Sequence, residues 1–261
     1  MIRYLALNVF IGVNTIVFAL WAIVVAFFDR TGRLTHCYAA VPWAKLILWV
    51  CGVRVQVEGL ENLDVQVPRI YLSNHQSAFD IFALLAHLPV HFKFILKQEL
   101  MKIPILGFAM QRARYIAIDR ADPRKALRSM KEAAERVRKG ASVLIFPEGT
   151  RSKDGRLQPF KKGGFHLAIM SGCDPVPIAI LNSRGINPKG SFRINKGTFK
   201  LRIGEPIHID GYSRKDIDRL MEQVRGAMVR LMAVGEEGGE RPPICREIPD
   251  DRTQRGFKKL E

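Results

Sequence analysis

Acidic residues are scarce in this chain: 25 Asp and Glu stand against 41 Lys and Arg, a formal charge of +16 over 261 residues. Such an imbalance favours anionic partners, either nucleic acid or the headgroups of acidic lipids. Cysteine is sparse as well. Cys37, Cys51, Cys173 and Cys245 are scattered without a C-x-x-C pair, which argues against a zinc knuckle or a disulfide scaffold. There is no G-x-S-x-G elbow to present a serine nucleophile, and no internal repeat of useful length. The positive charge comes without a recognition-helix or RNP-like pattern, so nucleic acid is not the expected partner. Nor is a metal site expected. His166 and His208 are unclustered in sequence and read as ordinary structural histidines, leaving His75 and Asp80 without a third ligand.

What the chain does have is a long run without charge. Tyr4 to Phe28 lies between Arg3 and Asp29, and as a helix it would extend about 37 Å, enough to cross a hydrocarbon core of ~30 Å with tilt. A wholly buried core helix is the competing reading of that run; a cleaved signal peptide fits poorly, because no A-x-A site follows it. A second run, Ala39 to Val53, contains Pro42, Lys45 and Gly52 and suits a re-entrant or interfacial helix that forms a hairpin with the first. Trp21, Phe27, Phe28, Trp43 and Trp49 suit an interfacial belt, and Arg30, Arg33 and Lys45 outnumber Arg3, which places the bulk of a spanning protein on the cytoplasmic side of an inner membrane. Residues 1–53 are therefore expected to be a membrane-associated helical hairpin, 54–234 a catalytic domain, and the Gly-, Pro- and charge-rich 235–261 a disordered tail.

From Arg54 the pattern alternates between strand and helix. Val53, Val55 and Val57 alternate with polar neighbours as in a half-buried strand. Short apolar runs at Ile70–Leu72, Phe92–Leu96, Tyr115–Ile118, Ser142–Phe146, Pro175–Leu181 and Thr198–Ile203 read as further strands. Between them fall helices over Phe79–Leu85, an interrupted one over Glu99–Met110 broken near Pro104 and Gly107, one opened by Asp122-Pro123 and stopped by Gly140, and others over Phe160–Met170 and Ser213–Val234. This recurrence predicts an α/β domain with a mixed sheet flanked by helices, preceded by the N-terminal membrane-associated hairpin.

Two stretches carry chemistry. In Ser-Asn-His-Gln-Ser-Ala-Phe-Asp, residues 73 to 80, His75 and Asp80 are five apart, so they meet only if His75 precedes the helix that holds Asp80. Ser77 makes that natural as an N-cap, with Asp80 in the first turn. On spacing alone the two residues serve either as a catalytic pair or as a turn histidine beside a capping acid. The second stretch, Phe146-Pro147-Glu148-Gly149-Thr150-Arg151-Ser152, leaves a strand and projects a carboxylate, a hydroxyl and a guanidinium around a glycine; it reads equally as a phosphate-binding turn or a solvated surface turn. Asp119-Arg120 at another strand end offers a further guanidinium. Three polar strand ends together favour a phosphate-bearing ligand at one edge of the sheet.

Asn74 to Asp80 resembles the N-H-x4-D block of the glycerolipid acyltransferases, specifically the 1-acyl-sn-glycerol-3-phosphate acyltransferases, and Phe146 to Ser152 resembles their F-P-E-G-T-R-S block. Ile116 to Arg120 is similar to the second block of that family and Val176-Pro177-Ile178 to its fourth; the four occur in family order over about residues 40 to 210. Ala117 and Arg114-Tyr115 depart from the usual second block, which bears on acceptor identity. The resemblance implies transfer of a fatty acyl group from acyl-CoA or acyl-ACP, without a further cofactor, to the sn-2 hydroxyl of lysophosphatidic acid, giving phosphatidic acid at a membrane. It implies His75 as general base and Asp80 as its orienting acid, with Arg120, Glu148, Gly149 and Arg151 at the acceptor. The sequence leaves Glu148 between fixing Arg151 and receiving an acceptor hydroxyl. Lys97, at a strand end, is a candidate oxyanion or phosphate contact, as are backbone amides near Gly149.

Overall fold

The structure, a computed structural model, describes residues 1–119 and 121–234; the expected Arg120 contact and the expected tail 235–261 lie outside the described residues. Seven strands form one sheet: β1 (Val53–Glu58), β2 (Ile70–Ser73), β3 (Phe92–Lys97), β4 (Ile116–Ile118), β5 (Ser142–Ile145), β6 (Pro175–Leu181) and β7 (Gly197–Ile203). Their order is β1-β7-β6-β2-β5-β3-β4, and neighbours run parallel except at the antiparallel pair β6/β7. The central strands β2 and β5 are buried along their whole length, which is why their sequences are continuous apolar runs. Edge strand β1 keeps the alternation expected of it, with Val53 buried and Arg54 exposed.

Successive side chains of β2 and β5 point to opposite faces of the sheet. Tyr71 and Leu144 pack on the side covered by helix Phe79–His87, whereas Ile70, Leu72, Val143 and Ile145 pack on the side covered by helices Pro123–Arg138, Gly163–Ser171 and Ile217–Ala233. Asp122 caps the first of these three as expected, accepting hydrogen bonds from the Arg124 and Lys125 backbone N–H groups. Two helices begin later than the sequence suggests. The segment before Gly163 is drawn back to the end of β5, where Lys161 N donates to Pro147 O at 2.8 Å. Likewise Ser213 caps a 3-10 turn, Arg214–Asp216, before helix Ile217–Ala233 begins. The interrupted segment is a 3-10 turn, Gln98–Lys102, followed by helix Leu106–Arg112. At that break Gly107 lies so close to the Met101 backbone that a Cβ would collide with it.

At the amino end, α1 (Ile2–Ala26) and α2 (Arg33–Cys51) are joined through a turn at residues 27–32; both are long and apolar enough to cross a membrane by length and composition. They are used differently. The second buries Ala44, Ile47, Leu48 and Cys51 in the same core as helix Phe79–His87, so it is packed into the α/β unit. The first leaves Leu5, Val9, Val13, Ile16, Val17, Leu20, Trp21 and Val24 exposed, a continuous apolar face of the kind that membranes cover.

Candidate active site

Strand β2 ends at Ser73 and the chain turns through Asn74 before helix Phe79–His87 begins. Asn74, a turn former by sequence, is buried and bonds both ways with β6: its Nδ2 donates to Ile180 O at 2.9 Å and its Oδ1 accepts from Ile180 N at 2.6 Å. A side chain thus acts as one more rung of the sheet and fixes where the next residue starts. That residue is His75. It lies before the helix, and its Nδ1 is 2.7 Å from Asp80 Oδ2. The same oxygen accepts from Gln76 N at 2.7 Å and Ser77 N at 2.8 Å, while Ser77 Oγ accepts from Phe79 N at 3.2 Å. Capping and orientation are therefore one arrangement: the acid that receives the turn's amide groups also holds the imidazole. Asp80 is fully buried, so water does not compete for these bonds.

The ring of His75 stacks on Phe146, with centroids 4.0 Å apart and planes 14° from parallel. Phe146 begins the second motif, and the two motifs are joined further through main chain. Glu148 Oε1 accepts from His75 N at 2.8 Å, and Ser152 N donates to His75 O at 2.7 Å. Glu148 Oε2 accepts from Gln158 N at 3.1 Å. The structure thus gives this carboxylate a task the sequence did not suggest, bridging two backbone segments. Burial raises its pKa to about 7, with the two backbone donors pulling the other way. Gly149 takes φ +73 in the turn, a conformation suited to glycine, and its N–H donates to Phe146 O at 3.0 Å.

Arg151 is half-buried, and among the described residues its guanidinium has no hydrogen-bond or ion-pair partner. Lys189 steadies the adjoining loop by donating to Thr150 Oγ1 at 2.9 Å and Arg151 O at 3.0 Å. Lys97 ends β3 and pairs with Glu99 at 2.8 Å. These polar groups gather at the carboxyl ends of parallel strands, the edge where α/β sheets present ligand sites. His208 lies at the opposite edge, 3.0 Å from Asp174, which also pairs with Arg69 just before β2. The sequence placed Asn74 and Phe146 in the two motifs but gave neither its task, and it did not single out Lys189, because each acts through a partner distant in the chain.

A cavity of about 390 Å³ adjoins the imidazole. His75, Phe146 and Gly149 line it together with Ala19 and Ala22 of α1, Ala39 and Trp43 of α2, and Leu106 and Ala109. Its walls are almost wholly apolar. A separate cleft beside the second motif is lined by Lys153, Asp154, Arg156, Leu157, Gln158, Pro159 and Lys189, a set that includes three cations.

A family model described as Acyltransferase matches residues 54–181, a span that holds both motifs. The chain is 41% identical over 210 residues to a chloroplastic 1-acyl-sn-glycerol-3-phosphate acyltransferase of Brassica napus, covering 80% of this chain and 59% of that one. With a chloroplastic enzyme of the same name from Arabidopsis thaliana it shares 44% identity over 186 residues, 70% of this chain and 52% of that one. The chain thus spans little more than half the length of these plant relatives. A 1-acyl-sn-glycerol-3-phosphate acyltransferase of Pseudomonas aeruginosa is 34% identical over 206 residues, 77% of this chain and 79% of its own. Among solved structures, the 1-acyl-sn-glycerophosphate acyltransferase of Thermotoga maritima matches with a TM-score of 0.74 at 28% identity, over 88% of this chain and 94% of that one. With most of a bacterial relative's length aligned and the whole layered architecture shared with a solved one, this chain belongs to the 1-acyl-sn-glycerol-3-phosphate acyltransferase family.

Proposed function

We propose that this protein transfers a fatty acyl group from a thioester, acyl-CoA or acyl-ACP, to the sn-2 hydroxyl of lysophosphatidic acid, forming phosphatidic acid. The observation that carries the reading is the His75–Asp80 pair, 2.7 Å apart, with His75 lining an apolar cavity. An alcohol attacks a thioester slowly until a base removes its proton in the transition state, an effect worth roughly 10² to 10⁴ in rate. With Nδ1–H bonded to Asp80, the other ring nitrogen, Nε2, is left to accept that proton. The stacked Phe146 ring fixes the plane in which it does so.

The step balances without an acyl-enzyme. The acceptor oxygen bonds to the thioester carbon while His75 takes its proton; the C–S bond then breaks, and the thiolate leaves with that proton as a free thiol. Lys97 is the candidate donor to the transient oxyanion: it is among the residues lining the cavity, and its exposed ammonium pairs with Glu99. Gly149 N already donates to Phe146 O, which supports giving that role to Lys97. The guanidinium of Arg151, without a partner among the described residues, supports a phosphate contact, with Arg120 assigned to the same acceptor. The apolar cavity supports the acyl chain, the exposed face of α1 supports docking on a membrane, and the excess of Arg30, Arg33 and Lys45 over Arg3 supports the cytoplasmic side of an inner membrane.

Purified protein supplied with acyl-CoA or acyl-ACP and a panel of acceptors in vesicles tests the reading. The panel holds lysophosphatidic acid, other lysophospholipids, glycerol 3-phosphate and a lyso-aminolipid. Thiol release that requires lysophosphatidic acid and is lost in His75→Ala is the expected result; a different preferred acceptor would replace the assignment.

A further inference from the structure

The apolar cavity has one wall from the N-terminal helices and another from helix Leu106–Arg112 and the residue after it, Ala113. These walls come from distant parts of the chain; beside the packing of Ala19, Ala22 and Ala39 on Ala109, a buried amine joins them. Lys93, on β3, is 3% exposed. Its Nζ donates to Gly32 O at 2.7 Å and to Ala113 O at 2.8 Å. Gly32 belongs to the elbow between α1 and α2, and it is so close to this junction that a Cβ would collide with both Lys93 Nζ and Ala113 O.

The elbow is itself organised by an acid. Asp29 Oδ1 accepts from Gly32 N at 2.7 Å and from Thr31 N at 3.1 Å, while Oδ2 accepts from Thr35 N at 2.7 Å and Thr35 Oγ1 at 2.9 Å. His91 Nε2 adds a contact to Gly32 O at 3.0 Å. Thr35 and Ala113 line the cavity directly. None of these polar groups has a place in the proposed proton transfer, so their burial calls for another account.

We propose that Lys93, with the elbow that Asp29 organises, is a positioning residue that sets the reach of the apolar cavity and thereby the acyl chain length the protein accepts. The inference rests on the reading of that cavity as the acyl site. The physical reason is a lost bridge: without the amine, Gly32 O keeps His36 N and His91 as partners, but the buried Ala113 O loses the donor that ties it to the elbow, and the two walls separate to admit water or a longer chain. Burial lowers the amine's pKa to about 7, and a neutral amine still has N–H bonds for both carbonyls.

The test compares wild type, Lys93→Met, Asp29→Asn and the cavity-lining control Ala109→Leu. Each is assayed for kcat/KM on saturated acyl-CoA donors of stepwise increasing length, with lysophosphatidic acid in phosphatidylcholine vesicles. Hydrogen exchange at residues 29–40 and 106–115 is followed in parallel. Lys93→Met is expected to raise the ratio of long to short donors by about tenfold or more, the scale of a methylene step in an apolar pocket. Asp29→Asn should move it in the same direction by less, and both should exchange faster at the two walls. If Lys93→Met does not fold, Asp29→Asn decides. A folded variant with wild-type chain preference, beside an Ala109→Leu control that shifts towards shorter donors, overturns the inference and leaves the cavity reading intact. A control that shifts nothing removes the cavity reading, and this inference with it.

Discussion

Replacing Asp80 by Asn is the sharpest test of the site, because it removes a charge while keeping the shape that surrounds it. Asp80 is fully buried and takes three hydrogen bonds through Oδ2, all at 2.7 or 2.8 Å. An amide oxygen can still receive the two backbone N–H groups, so the turn and the helix it starts should survive. Asp80→Ala is the poorer experiment: it leaves Gln76 N and Ser77 N unpaired, at about 1 to 3 kcal/mol each, out of a total stability of about 5 to 15 kcal/mol. In Asp80→Asn the proposed mechanism puts the loss on the imidazolium formed during attack. If His75 is the base, kcat should fall by roughly 10² to 10⁴, equal to about 3 to 5 kcal/mol of barrier. KM for donor and acceptor should change little, since the buried carboxylate touches neither. Thiol release on lysophosphatidic acid vesicles gives both constants, and a thermal melt confirms the fold. A folded Asp80→Asn protein with kcat within about threefold of wild type would refute the base assignment.

Further outcomes can be checked alongside it. Arg151→Ala should raise KM for lysophosphatidic acid by about tenfold or more with kcat largely retained, the signature of a lost phosphate contact; an unchanged KM would remove that assignment. Glu148 has a folded pKa near 7 against an ordinary 4.5, so its contribution to stability is fully present below about pH 4.5 and is lost as pH rises through about 7. Urea midpoints of wild type relative to Glu148→Gln should therefore fall across that interval, and parallel pH curves for the two proteins would contradict the shift. Asp substitutions at Val13 and Val17, exposed on α1, should reduce co-sedimentation with vesicles severalfold while leaving the melting temperature within a few degrees; undiminished binding would point to another membrane surface.

Much of the architecture was legible because parallel strands buried on both faces must be short apolar runs, and those runs stand out between polar turns. The boundaries that moved did so through contacts that a linear reading does not contain, such as Lys161 N returning to Pro147 O. The apolar run near Trp49 is a related case. Length and composition identified a helix there, but not that Ala44, Ile47 and Leu48 would be claimed by the α/β core. At the site, spacing gave the one geometry in which His75 and Asp80 can meet, and the structure adopts it. It could not separate a capping acid from an orienting one, since a single carboxylate oxygen does both. Glu148 was found by motif, but its main-chain bridge was not legible, because the partners are amides at 75 and 158. Lys93 passed unnoticed because an isolated lysine in an apolar strand looks like a solvent-facing position.

Both main-chain groups of His75 are committed to residues of the other motif, the N–H to Glu148 and the carbonyl to Ser152. The two segments therefore cannot diverge separately: a change at 148 or 152 arrives at the imidazole as a displacement, and its effect should be strongly non-additive with any change at 75 or 80. Thr150 and Arg151 send their side chains outside that circuit. New substrate preferences would evolve most readily at those two positions, where variation leaves the imidazole undisturbed.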